Sequence, residues 1–216
     1  MNAPGPIVLR LAFVAVTLVI WFWTQRLISR KAPPAEGGVG DRLHAWTAPL
    51  HGWLLARPRA ADATLIVTSA LVDAFGLYLF ASAIFGPTLQ PLLALLIIFA
   101  LRQCCQAVCT LPPPPGIIWR DPGFPSLLVT YGVSNDFFFS GHTAISVLGA
   151  LQLAHHAPPW LAAVGAIVAG TEALTVIVLR AHYTMDVFAA VFAAWAADLA
   201  GQHIAPAIDG WLRALA

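Results

Sequence analysis

The sequence predicts an all-α polytopic membrane protein, a six-transmembrane-helix bundle forming one membrane-embedded domain over residues 1–216. Three observations carry that expectation. Hydrophobic residues make up 59% of the chain and charged residues 10%, whereas soluble domains carry about a quarter charged residues. Mean hydropathy is +0.79. The apolar residues also gather into six runs near the roughly 20 residues that a helix needs to cross a bilayer. Hydrocarbon offers backbone groups no hydrogen-bond partner, so such runs are expected to be helices. Eleven Lys and Arg nearly cancel ten Asp and Glu, and no charged tail points to a nucleic-acid partner.

The first predicted span covers residues 7–25, with Trp21 and Trp23 as interfacial anchors ahead of Arg26. Its length, and the lack of a small-x-small site, argue against a cleaved signal peptide. Lys31 to Gly40 is composed like a flexible linker. Within 41–55, Leu43, Trp46, Leu50, Trp53 and Leu54 recur at helical spacing around Pro49, which predicts an amphipathic segment lying at the interface. The other spans are predicted at 62–85, 91–109, 136–156, 160–180 and 182–203, punctuated by Gly86-Pro87, Pro112 to Pro115 and Pro158-Pro159. Ala166-x-x-x-Gly170 predicts a close helix approach. Cys104, Cys105 and Cys109 form neither a disulfide framework nor the paired spacing of a zinc site, and read as packing residues.

Ionised groups in hydrocarbon are costly, so those within spans are functional candidates. Two stretches concentrate them: Asp136-Phe-Phe-Phe-Ser-Gly-His142-Thr143, and Arg180-Ala-His182-Tyr-Thr-Met-Asp186. They open the fourth and sixth predicted spans, which run in the same direction, so both lie at one membrane face. His182 and Asp186 are four apart and share a helical face. A carboxylate beside an imidazole fixes its tautomer and stabilises its cation. A second histidine, His142, can protonate a leaving oxygen. The helix start at Ser140-Gly141 offers N–H groups to an anion, and Arg102, Arg180 and Arg120 are candidate phosphate ligands. Together these residues describe phosphoryl transfer that needs neither metal nor cofactor. Asp136 pairs with an arginine or faces a cationic head group. Glu172 and Asp73 lie inside spans, where each is either hydrogen-bonded between helices or meets a head-group ammonium; Glu172 alternatively orients His142.

Ser140-Gly-His-Thr143 with His182-Tyr-Thr-x-Asp186-Val resembles the paired signature of the sphingomyelin synthase family, a branch of the type-2 phosphatidic acid phosphatase superfamily of six-helix membrane enzymes. Arg102 with Thr110-Leu-Pro-Pro-Pro-Pro-Gly116 resembles that family's arginine and Thr-x-Leu-Pro-x-Pro segment. Arg180 is more like the inositol phosphorylceramide synthases. Ser134-Asn135 stands where the family usually has Cys-Gly. The resemblance covers Arg102 to Val187. It implies that a phospho-head group moves from a glycerophospholipid to ceramide or diacylglycerol through a phosphohistidine. His182 would be the nucleophile, Asp186 its orienter, and His142 the general acid and then base. If water is admitted, the same site is a phospholipase C or a lipid phosphate phosphatase. A haem-binding electron-transfer bundle is the alternative from another class, with His142 and His182 as the axial pair. Arg26, Arg30, Lys31, Arg42, Arg57 and Arg59 place the active-site face in the cytoplasm by the positive-inside rule, whereas the resemblance implies a lumenal or exterior face. The host membrane is a bacterial-type inner membrane or an endomembrane.

Overall fold

Prolines and glycines cut the chain where its helices end. The computed structural model describes residues 39–108, 111–129, 131 and 137–215, together with Val19 and Trp23. Among these residues every regular element is a helix: α1 (Arg42–Trp46), α2 (Ala48–Leu55), α3 (Pro58–Phe85), α4 (Gln90–Val108), α5 (Gly141–His156), α6 (Pro159–Val178) and α7 (Thr184–Leu215). Pro58 and Pro159 stand at the first position of α3 and α6, where a missing N–H costs nothing and the fixed φ suits a helix. The described residues from Asp41 onward form one compact unit.

Among the described residues four helices are long and apolar enough to cross a membrane: Pro58–Phe85, Gln90–Val108, Pro159–Val178 and Thr184–Trp211. The protein is an integral multi-pass membrane protein. The predicted six spans are corrected accordingly. The first, 7–25, falls outside the described residues apart from Val19 and Trp23. The run predicted at 136–156 contains α5, which starts at Gly141 and has 16 residues, short of the roughly 20 that span hydrocarbon. Its buried residues include His142, Thr143, Ser146 and Gln152. A lipid-facing helix could not carry those groups, and α5 is instead the centre of the bundle, packed against α6, α7, α3 and α4.

The predicted interfacial segment becomes the two short helices α1 and α2, which meet at Thr47. Pro49 does not break the segment, because it sits in the first turn of α2. The polarity of the face is the reverse of a soluble amphipathic helix. His44, His51 and Leu54 are buried, while Trp46, Leu50, Trp53 and Leu55 face outward, as expected where the outer medium is lipid. Arg57 lies over the Trp53 ring, 4.8 Å from its centroid.

Small residues set the helix spacing. A Cβ built on Gly149 of α5 would lie 2.1 Å from the Phe75 ring of α3. One on Gly165 of α6 would lie 3.3 Å from the Ala150 Cα of α5. Gly170, the predicted approach point, faces open space, so the contact falls one and a half turns earlier. At the end of the bundle away from the α5 start, Asp198 is buried and satisfied. Oδ1 accepts from Gln90 at 2.8 Å and Gln152 at 2.7 Å; Oδ2 accepts from Gln202 at 2.8 Å and faces His155 Nε2 at 2.9 Å. This network gives His155 a partner that the sequence pattern did not suggest.

Gly149→Val is expected to destabilise the bundle by about 1–3 kcal/mol through overpacking against Phe75. Gly170→Ala, with open space and better helix propensity, is expected to hold or raise the melting temperature. Thermal unfolding in detergent micelles checks both.

Candidate active site

Two helices start side by side. Ser140 caps α5: its hydroxyl accepts from the Thr143 N–H at 3.3 Å and the Thr143 hydroxyl at 3.0 Å. Asp186, in the first turn of α7, reaches back so that Oδ2 accepts from the Tyr183 N–H at 2.8 Å, the carboxylate half of a capping box. The Ser140 N–H donates to the Asp186 backbone carbonyl at 3.2 Å and joins the two starts. Arg102, near the end of α4, donates from Nε to the Phe139 carbonyl at 2.9 Å. Its guanidinium passes close over Gly141, where a notional Cβ would lie 3.5 Å from Nε.

Between these starts lies a cleft lined by Arg102, Trp119, Phe137, Gly141, His142 and His182 among others. His182 Nδ1 donates to the Phe137 carbonyl at 2.8 Å. A carbonyl only accepts, so Nδ1 carries the proton of the neutral ring and Nε2 keeps a lone pair. Asp186 Oδ2 is 3.6 Å from His182 Nδ1, near enough to stabilise an imidazolium electrostatically but beyond a normal hydrogen bond. The tautomer is therefore set by the Phe137 carbonyl more than by the carboxylate. His142 meets Trp119 edge-on at 5.0 Å. His142 Nε2 and Asp186 Oδ1 are both buried and without hydrogen-bond partners among the described residues. Such atoms call for an explanation; among the described residues Gln90, Ser146, Gln152 and Arg180 carry others.

The remaining predicted residues divide. Arg102, Ser140 and Gly141 belong to the cleft or its helix start. Asp136 lies outside the described residues. Arg180 is in left-handed backbone, φ +57°, and its Nη2 donates to the His44 carbonyl at 2.9 Å; it does not line the cleft. Arg120 pairs with Asp62 at 2.6 Å on an exposed surface and fastens the loop to the start of α3. Glu172 is buried, accepts from the Thr68 hydroxyl, and lines a groove between α3 and α6 with Thr64, Thr171 and Thr175. Asp73 takes up the Leu127 and Leu128 N–H groups at 2.8 and 2.9 Å, so it caps a loop and does not join two helices.

Residues 41–202, three quarters of the chain, match the profile of the AtPDCT1/2 family, the phosphatidylcholine:diacylglycerol cholinephosphotransferases. The chain belongs to the AtPDCT1/2 family. No curated protein and no solved structure matches it. The resemblance to the sphingomyelin synthase branch is thereby corrected. It rested on two short motifs and one arginine segment, whereas the AtPDCT1/2 match runs through α1, α2 and the whole bundle as far as Gln202. AtPDCT1/2 proteins are lipid head-group transferases.

Sequence reasoning missed the residues behind the cleft. Asp41 caps α1, accepting from the Leu43 and His44 N–H groups at 2.9 and 3.2 Å, and also accepts from the Thr184 N–H and hydroxyl, each at 2.6 Å. His44 Nε2 donates to the His182 carbonyl at 2.9 Å, and His51 Nδ1 to the Val178 carbonyl at 2.8 Å. The available signal was two histidines at a seven-residue spacing in a segment otherwise bearing Trp and Leu. Burial alone would raise the Asp41 pKa, but the hydrogen bonds from Thr184 and His44 outweigh it and hold the carboxyl below its ordinary range. Burial pulls His44 below the usual imidazole value despite its bond to the His182 carbonyl.

Ser140→Ala is expected to cost about 0.5–2 kcal/mol through loss of the α5 cap, read as a lower melting temperature. The lowered Asp41 pKa makes its contribution complete above the ordinary carboxylate range and lost as pH falls through the folded-state value. Asp41→Asn is therefore expected to show a shallower loss of stability below that range than the parent, measured by melting at stepped acidic pH.

Proposed function

We propose that this protein moves the phosphocholine head group of phosphatidylcholine onto diacylglycerol, with His182 as the covalent carrier. The observation that carries the reading is the His182 ring, held by the Phe137 carbonyl with Nε2 left for a cleft that His142 shares. In the first half-reaction His182 Nε2 attacks phosphorus in line. The bond from phosphorus to the glycerol oxygen breaks, and that oxygen takes a proton from His142 and leaves as diacylglycerol. The phosphohistidine keeps its Nδ1 proton on the Phe137 carbonyl, with the Asp186 carboxylate 3.6 Å away to stabilise the cationic ring. In the second half-reaction His142 takes the proton of an incoming diacylglycerol hydroxyl, whose oxygen displaces His182. Arg102 and the α5 start supply positive potential for the phosphate oxygens. Trp119 beside His142 keeps the site apolar, which favours a lipid alcohol over water as acceptor.

AtPDCT1/2 membership supports diacylglycerol as acceptor and phosphocholine as head group. Proteoliposomes containing head-group-labelled phosphatidylcholine and fluorescent diacylglycerol test the reading: labelled phosphatidylcholine should appear on the fluorescent backbone. Labelled free phosphocholine alone would replace it with a hydrolase. His182→Ala is expected to abolish transfer. His142→Ala is expected to slow the first half-reaction about 10²–10⁴-fold with natural substrate but to slow the burst of p-nitrophenolate from p-nitrophenyl phosphocholine much less, since that leaving group needs no proton. An equal loss with both donors would remove His142 as general acid.

A further inference from the structure

We propose that Asp41, His44 and His51 are positioning residues for the transfer reaction, acting together as a clasp that sets the backbone of the His182 turn. The proposal rests on His182 as the reacting group. The turn from Leu179 to Tyr183 between α6 and α7 belongs to neither helix and includes Arg180 in left-handed backbone. The Leu179, Arg180, Ala181 and His182 N–H groups tie this turn to carbonyls of the last turn of α6, and Asp41, His44 and His51 add bonds to it and to the flanking helix ends from outside. The clasp engages Arg180 and His182 within the turn and the helix end on each side of it. His51 holds the Val178 carbonyl, Arg180 reaches the His44 carbonyl, His44 holds the His182 carbonyl, and Asp41 takes both the N–H and the hydroxyl of Thr184. The loop before α5 closes the other side, with the Ile118 N–H donating to the Leu179 carbonyl at 2.8 Å.

Neither clasp histidine is among the residues lining the cleft, so neither reacts. Each spends a ring N–H on a carbonyl of the turn, and each is buried, His44 at 4% and His51 at 6% exposure. Histidines held this way are costly unless bonded, and simple helix docking would be served by leucine. What they supply is direction: a backbone carbonyl fixed on either side of the turn fixes the Cα of His182 and hence the aim of its ring at the Phe137 carbonyl. The outward Trp46, Leu50, Trp53 and Leu55 seat the clasp in lipid, so the turn is aligned from the membrane side. A displacement of about 1 Å of a nucleophile is enough to cost about 100-fold in rate.

The test uses the full chain in phosphatidylcholine proteoliposomes with diacylglycerol. His44→Phe and His51→Leu remove the donors, whereas His44→Gln and His51→Asn keep an N–H near the same place. The apolar variants are expected to lower kcat about 10–100-fold with KM for diacylglycerol little changed, and the amide variants to restore most of it. Wild-type kcat in both apolar variants would overturn the clasp. So would a loss that the amides do not restore and that tracks a fall in melting temperature. Histidine nitrogen-15 spectra give a readout that needs no turnover. The parent should show His182 protonated at Nδ1, and His44→Phe should mix the tautomers; an unchanged His182 signal would also overturn the clasp. A parent that transfers no head group would sink the transferase reading, while the spectra would still decide whether the clasp aligns His182.

Discussion

The bond on which the site depends is the one from the Ser140 N–H to the Asp186 carbonyl, because it brings two helix starts from distant parts of the chain to one place. Each start has N–H groups with no partner inside its own helix. Ser140 and Asp186 satisfy some of these from their own side chains. His142 and His182 ride on the same two starts, one within the first turn of α5 and the other just ahead of α7. A shift in either helix along its axis would separate them. The packing that prevents this is close: Gly149 against Phe75 on one side of α5 and Gly165 of α6 against Ala150 on another.

The scarcity of charge acquires a physical meaning in this arrangement. Each acid described inside the bundle is matched with donors. Asp198 has amide donors from three glutamines and faces His155, Glu172 has Thr68, and Asp73 has two backbone N–H groups. These groups hold helices and loops together. Asp186 differs, since Oδ1 is buried without a partner among the described residues and its other oxygen faces both the Tyr183 N–H and His182. An unsatisfied carboxylate oxygen is unfavourable in the resting protein, and a positive charge forming on the neighbouring imidazole would offset that cost.

How much of this was legible in the sequence follows from the range of the interactions. Helix positions came from prolines and apolar runs, which are local signals, and the all-α class follows from them. His142, His182 and Asp186 stood out in the sequence because they sit in compact stretches against an apolar background, and the two histidines line one cleft. Span number was less legible, since hydropathy cannot separate α5, an apolar helix buried by its neighbours, from one bathed in lipid. The partners of Arg180, Glu172 and Asp73 were not legible at all. Each bond is between groups 54 to 136 residues apart, and no periodicity reports such pairing. The orientation of α1 and α2 was missed for a related reason: helical spacing marks an apolar stripe without saying whether core or lipid receives it.

The correction of family has the same origin. A serine cap, two histidines and an aspartate at helix starts are a short local pattern, so a match confined to them is weak evidence of lineage. Lineage is recorded in residues that the reaction does not prescribe. The AtPDCT1/2 match begins at residue 41, and Asp41 is the residue that binds the α1 start to the α7 start through Thr184. Its N-terminal boundary therefore falls where the described contacts to the His182 turn begin, upstream of either histidine motif. The unit that the family shares in this chain is then larger than the reacting groups: it comprises the cleft together with the helices that hold its floor.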